Sequence, residues 1–232
     1  MRSMVDQAQH FADILDYHAE RAPGRVAIRH IVADQGEPLL TTYAELGEQA
    51  LAVAGLLQRL GCEAGERCVL MLPSGADYAA AFFGCLYAGV IAVPAFPPEN
   101  NRQMHIERLT GILLDAQPMV VLAPREVIRR CQADLQPLLA PGAALIAIED
   151  VDARERAGYQ PRLITSDALA FLQYTSGSTR APKGVMVSHA NLLANERSMS
   201  RGFSASREES WVSWLPLYHD MGLMAGLLLP IM

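Results

Sequence analysis

Apolar positions change period repeatedly along the chain, and each change marks an element. Over residues 6–21, Phe11, Ile14, Leu15 and His18 share one helical face, and Pro23-Gly24 breaks that helix. Val26, Ile28 and His30 then alternate with Ala27, Arg29 and Ile31, which predicts a strand over 25–33. Gly36-Glu37-Pro38 turns it into a second strand over 39–42. Thr42 and Glu45 have the spacing of a capping box at the start of a helix over 43–60, which Gly61 ends. From there short apolar strands (67–72, 90–94, 119–123, 144–148) alternate with helices (79–88, 102–116, 125–135). Uniformly apolar strands separated by helices predict an α/β fold, parallel-sheet-rich and layered, with both faces of the sheet covered. Residues 150–167 are polar without periodicity and read as a surface connection.

One stretch calls for a membrane test. Residues 78–98 run for 21 positions without a formal charge, long enough to span a bilayer. Gly84, Gly89, Pro94, Pro97 and Pro98 interrupt it, and Asp77 and Glu99 flank it where basic residues would be expected. A buried helix turning at Gly89 into a strand accounts for it better, so no integral membrane segment is expected.

Composition narrows the classes further. The chain has 232 residues, 51% of them hydrophobic and 19% charged, with a formal net charge of −6. That excludes a disordered chain and argues against a nucleic-acid reader, which would carry a basic face. Cys62, Cys68, Cys85 and Cys131 form no C-x-x-C pair and have no histidine at metal-ligand spacing, so buried, reduced thiols in a cytoplasmic protein are expected. Asp6, His10, Asp13 and Asp16 interrupt the N-terminal stretch, which therefore does not read as a signal peptide. Basic residues are lopsided: 18 are arginine and one, Lys183, is lysine.

That lysine falls in the most informative segment. An apolar strand (169–174) runs into Thr175-Ser176-Gly177-Ser178-Thr179 and Arg180-Ala181-Pro182-Lys183-Gly184, followed by a strand over 185–188 and a helix from His189. Hydroxyls, exposed backbone N–H groups and a mobile ammonium suit a polyphosphate cradle. A Ser/Thr-rich surface turn is the plain alternative. The segment is not a Walker A loop, because Gly184 rather than Ser or Thr follows the lysine, and no G-x-G-x-x-G supports a dinucleotide site.

The run Y-T-S-G-S-T-R-A-P-K-G-V resembles the phosphate-binding signature of adenylate-forming enzymes: acyl-CoA synthetases, luciferases and peptide-synthetase adenylation domains. Trp214-Leu215-Pro216-Leu217-Tyr218-His219-Asp220-Met221-Gly222-Leu223 is similar to the family's L-P-x-x-H-x-x-G-L segment. Gly89 to Pro94 and Asp115-Ala116-Gln117-Pro118 are also similar, so the resemblance covers nearly the whole chain. Within the family, Pro94-Ala95-Phe96-Pro97-Pro98, Arg180 and the Y-H-D-M-G-L run look most like the fatty acyl-AMP ligase branch; long-chain fatty acid–CoA ligase is the alternative.

The resemblance implies a reaction: a fatty acid carboxylate attacks the α-phosphate of ATP, releasing pyrophosphate and leaving acyl-AMP for an acyl carrier protein, or for CoA in the alternative branch. Thr175, Ser176, Gly177, Ser178, Thr179, Lys183 and Gly184 would hold ATP, with Mg²⁺ bridging phosphate oxygens and no protein residue assigned as its ligand. Lys183 and His219 are the implied catalytic residues, His219 near the acyl carboxylate; a helix-start histidine bonded to backbone is its structural alternative. Asp220 reads as a helix N-cap, Trp211 and Trp214 as core packing at strand spacing, and Arg125, Arg129, Arg130 and Arg207 as solvated. Arg180 reads equally as a phosphate contact or a loop rim. His10, His18 and His30 have no partners at useful spacing.

The family's adenine motif and C-terminal lid lysine have no counterpart after Lys183. Residues 1–232 are therefore expected to form the N-terminal part of an adenylation domain, with little activity alone. The alternative of another class is a non-catalytic module binding nucleotide or a carrier protein.

Overall fold

A computed structural model of the chain describes residues 8–32, 36–98, 102–175, 182–204 and 209–232. Helix α1 (Ala12–Arg21) buries Ile14, Leu15 and His18. Strands β1 (Val26–His30) and β2 (Leu39–Thr42) pair antiparallel as a small separate sheet. Helix α2 (Tyr43–Arg59) starts with the expected capping box, the Thr42 hydroxyl accepting from the Glu45 N–H and the Glu45 carboxylate accepting from the Thr42 N–H.

The main sheet holds β3 (Arg67–Leu70), β4 (Ile91–Pro94), β5 (Val120–Ala123), β6 (Ala144–Ala147), β7 (Leu169–Thr175) and β8 (Lys183–Ser188), ordered β6-β5-β3-β4-β7-β8. Between them run α3 (Ala76–Ala88), α4 (Arg102–Ala116) and α5 (Arg125–Leu135), and after β8 come α6 (His189–Gly202) and α7 (Asp220–Leu223). Successive side chains on a strand point to opposite faces, so each strand feeds two cores. Cys68 and Leu70 join α1, α2 and α3 on one side, while Val69 and Met71 join α4 and α5 on the other.

Helix α3 explains the uncharged stretch. Every residue from Tyr78 to Ala88 is buried, and the helix ends at Gly89 in the left-handed region (φ 68°), which returns the chain to β4. No described helix is long and apolar enough to cross a membrane. The four cysteines are free and buried. Burial pushes the Cys62 thiol up to about 12 and the Cys68 thiol well above its ordinary value, so neither is a reactive thiolate at neutral pH.

Several expectations need correction. The parallel-rich, layered sheet is as expected except at one edge, where β8 runs antiparallel to β7 and is largely exposed. The connection over 150–167 lies on the surface as expected, and it is docked there. It holds a 3-10 turn (Ala153–Gly158), Arg59 bonds Glu155 at 2.7 Å, and the side chain of Gln58 exchanges two hydrogen bonds with the Gln160 backbone. Its attachment adds to these polar contacts only scattered apolar anchors (Val151, Tyr159 and Ile164), which leave no apolar period. His18 stacks on Tyr43 with ring centroids 4.6 Å apart, and His10 lies 3.1 Å from Asp13, so both have partners. Trp214 is 89% exposed and Trp211 37%, so neither is core. Arg125 pairs with Asp150 at 2.6 Å on the surface.

Candidate active site

Parallel strands leave their carboxyl ends on one side of a sheet, and α/β folds place ligands outside that edge. Here the edge is formed by Pro94, the last residue of β4, and by Tyr174 and Thr175, the last two of β7. Pro94, Phe96 and Tyr174 line a cleft there, together with Arg108 of α4 and the pair Tyr218-His219.

The β7–β8 hairpin brackets the Ser/Thr-rich segment. Thr175 pairs with Lys183 and Tyr174 with Gly184, so the hairpin register puts the single lysine directly across from the first hydroxyl, both exposed. Ser176, Gly177, Ser178, Thr179 and Arg180 lie outside the described residues. Two contacts seat the arms on α4. The Tyr174 hydroxyl donates to the Asp115 carboxylate. Pro182 packs on Gly111 so closely that a Cβ there would come within 2.7 Å of the proline Cγ. A Cβ on Gly184 would similarly meet the Tyr174 ring at 3.1 Å, so glycine at this position lets the ring lie flat on β8. Burial, then the Asp115 carboxylate, hold the Tyr174 phenol far above its ordinary pKa, so it stays a neutral donor.

His219 is exposed and stands at the N-cap of α7, where its carbonyl accepts from the Leu223 N–H at 2.8 Å. Asp220 is the first helical residue and not the cap. Its Oδ1 instead accepts from the Met221 N–H at 2.7 Å. Two interactions hold the segment before the helix: Ser74 Oγ accepts from the Leu217 N–H at 3.0 Å, and the Gln173 Nε2 donates to the Tyr218 carbonyl at 3.3 Å. Gln173 is buried in β7, and its Oε1 accepts no hydrogen bond from the described protein. The fold thus ties the His219 segment to the strand that carries Thr175.

Sequence reasoning passed over Arg108, Gln173 and Tyr174 as site residues. Each lies inside a periodic apolar run and so reads as part of an element. Only the breaks in polarity at Arg108 and Gln173 within those runs mark them. Among the described residues, no three His, Cys, Asp or Glu side chains come together to hold a metal ion.

A family model described as "AMP-binding enzyme" matches residues 15–232. The chain belongs to that family. Among its relatives is JamA of Moorena producens, a medium-chain-fatty-acid–[acyl-carrier-protein] ligase, 35% identical over 94% of this chain and 37% of its own length. Another, fadD21 of Mycobacterium bovis, is named for fatty-acid–CoA ligation and is 36% identical over 95% of this chain and 40% of its own length. A fatty acyl-adenylate ligase from L. pneumophila, solved with acyl adenylate and pyrophosphate, superposes with a TM-score of 0.90 at 35% identity, over 100% of this chain and 39% of that one. The fold is therefore that of the N-terminal region of adenylate-forming ligases, and the chain spans about two fifths of the length of these relatives.

Proposed function

We propose that this chain supplies the polyphosphate and carboxylate ends of a fatty acyl-AMP ligase site. The observation that carries the reading is the hairpin register, which sets Lys183 opposite Thr175 at the carboxyl edge of the sheet, beside the cleft lined by His219.

The chemistry asks mainly for charge neutralisation. A fatty acid carboxylate is already ionised and nucleophilic at neutral pH, so no base is needed to activate it. Its oxygen attacks the α-phosphorus of ATP, the bond from that phosphorus to the bridging oxygen breaks, and pyrophosphate leaves with the electron pair. The barrier lies in bringing two anions together and in stabilising the leaving group. Lys183, a compact ammonium on a flexible stem, would follow the polyphosphate as its charge shifts toward the departing oxygens. Thr175, Ser176, Gly177, Ser178, Thr179 and Gly184 would contribute hydroxyl and backbone donors around it. His219, on the other wall of the cleft, would orient the acyl carboxylate.

Mg²⁺, when bound, supplies electrostatic neutralisation of the phosphate oxygens. Among the described residues no cluster of side chains would ligate it, so no residue of this chain is assigned to hold it. The acceptor proposed for the adenylate is a carrier-protein thiol, in keeping with the name JamA bears. The thiol sulfur would attack the acyl carbonyl, and AMP would leave.

The test uses the native gene product read to its own stop codon, with ATP, Mg²⁺ and a medium-chain fatty acid. Acyl-AMP that persists with CoA but is consumed by carrier protein is the expected result. Efficient acyl-CoA formation would move the reading to a CoA ligase, and no adenylate in either arm would favour a binding module. In the same protein, Lys183→Gln should lower adenylation about 10²–10³-fold while leaving the melting temperature unchanged, because the side chain is exposed. Unimpaired turnover in that variant would overturn the role given to the loop.

A further inference from the structure

One face of α4 is devoted to the β7–β8 hairpin. Asp115 accepts from the Tyr174 hydroxyl, and Gly111, one turn back, receives Pro182. Arg108, a further turn back along the same face, reaches beyond the hairpin base into the cleft that His219 and Tyr218 line. Its guanidinium carbon lies 5.2 Å from the centroid of Phe96. The Phe96 ring stands 6.3 Å from Tyr218, and Tyr218 stands 5.1 Å from His219. A cation over an aromatic ring is held by the ring's quadrupole, and here that places Arg108 against Phe96 in the lining of the cleft. Arg108 is half-buried, and no described carboxylate pairs with it; Asp115, the acid on its own face of α4, is taken by Tyr174. A cation half withdrawn from water, lining a cleft and lacking a counter-ion within the described protein is arranged for an anion from outside.

The anion's identity follows from charge. Lys183 pairs with Thr175 at the end of the hairpin, and Arg108 lines the cleft together with Tyr174, the residue before Thr175. A nucleotide triphosphate still carries net negative charge after one divalent cation binds, more than a single lysine neutralises. A planar guanidinium fork matches two phosphate oxygens at once, where an ammonium offers only a point charge. We propose that Arg108 is a second polyphosphate-binding residue, which donates to the nucleotide's terminal phosphates and holds the pyrophosphate as it leaves. The proposal rests on the reading of the Lys183 loop as a phosphate site, and it adds a residue from a different element, outside the loop.

The experiment uses the full-length gene product and inorganic pyrophosphate as the probe. Calorimetric titration of pyrophosphate with Mg²⁺ should give a dissociation constant about 10–100-fold weaker in Arg108→Gln than in the wild type. Arg108→Lys keeps the charge over Phe96 and so protects the fold; it should weaken pyrophosphate by a smaller factor, about 3–10-fold, for want of the fork. In steady-state assays the KM for ATP should rise with the pyrophosphate constant, while the KM for the fatty acid stays within about 3-fold. Pyrophosphate affinity unchanged in both variants would overturn the proposal, as would a rise in the fatty acid KM in place of the ATP effect, which would make Arg108 a carboxylate reader. The titration needs no turnover, so it judges Arg108 separately: a wild type that binds pyrophosphate but makes no acyl-AMP would sink the ligase reading and leave this one standing.

Discussion

The helix α3 region and the segments at the sheet's β8 edge and before α7 both carry apolar runs and end up in opposite environments. Every side chain from Tyr78 to Ala88 is buried, with Phe82 set edge-on against both Phe83 and Phe171. Val185 and Met186 of β8 are 50% and 67% exposed, and Val212 and Trp214 are 80% and 89% exposed. The difference lies in covering. Strands β3, β4 and β5 have a helix layer on each face, so every apolar residue finds a partner. Strand β8 lies at the edge of the sheet and carries Lys183 there, where a charged group keeps its hydration and remains open to ligands. The proposed site lies where the layers run out.

Replacing a residue in each environment sharpens this contrast. Phe82→Ala should cost the most, about 3–5 kcal/mol of stability, because it empties a site between α3 and β7 that the surrounding helices cannot collapse into. Chemical denaturation checks this, and a loss under about 1 kcal/mol would mean that this core repacks freely.

An intermediate effect is expected at Glu196, a fully buried carboxyl on α6 whose Oε2 has no partner within the described protein. Burial raises its pKa from 4.5 to about 7, the weak hydrogen bond from Asn195 opposing only in part. The folded state therefore holds the proton more tightly than the unfolded chain. Its contribution to stability is complete below pH 4.5 and is lost as pH rises through about 7. Glu196→Gln should raise stability at pH 8 by about 1–3 kcal/mol and make no difference below the unfolded-state pKa. His189, on the same helix, runs the other way. Burial, and after it the neighbouring His10, lower its pKa from 6.5 to about 4, so stability is lost as pH falls across that interval. Between pH 4.5 and 6.5 the two effects oppose one another, so Glu196→Gln should steepen the rise of melting temperature with pH across that interval, where only the His189 effect remains. An unchanged slope there would mean that Glu196 finds a partner when ionised.

The smallest effect should come from Trp214→Ser, within about 0.5 kcal/mol of wild type, since the indole is almost wholly exposed in this chain. A loss above about 1.5 kcal/mol would place Trp214 in a buried setting and collapse the distinction between the two regions.

Much of the fold was legible because it is local. The Thr42–Glu45 capping box, the stop at Gly89, and the alternation of short apolar strands with helices are each decided within a few residues. The two arms of the hairpin were legible for a related reason: each is a contiguous run of strand-forming residues beside a cluster of hydroxyls, glycine and the only lysine. The site's remaining parts come from separate elements. Nothing local tells that Asp115 will meet Tyr174, that Gly111 will receive Pro182, or that Gln173 will carry the Tyr218 carbonyl. The misassigned residues fail for the same cause. Trp211 and Trp214 are large apolar residues in a short apolar run, but burial depends on whether another layer covers the segment, and His18 finds its stacking partner only when α1 lies against Tyr43.

By itself, then, the sequence determined the α/β class, the caps and breaks of most elements, and the family through two contiguous motifs, because short-range sterics and hydrophobic period act between neighbours in the chain. Tertiary structure alone decided that β8 turns back antiparallel at the sheet edge, that Lys183 faces Thr175, and that Arg108 points over Phe96 into the cleft of His219. The hairpin relations bridge a short loop and the Arg108 cleft joins residues far apart in the chain, but all of them are fixed only once the two cores have closed around the sheet and set where its carboxyl edge lies.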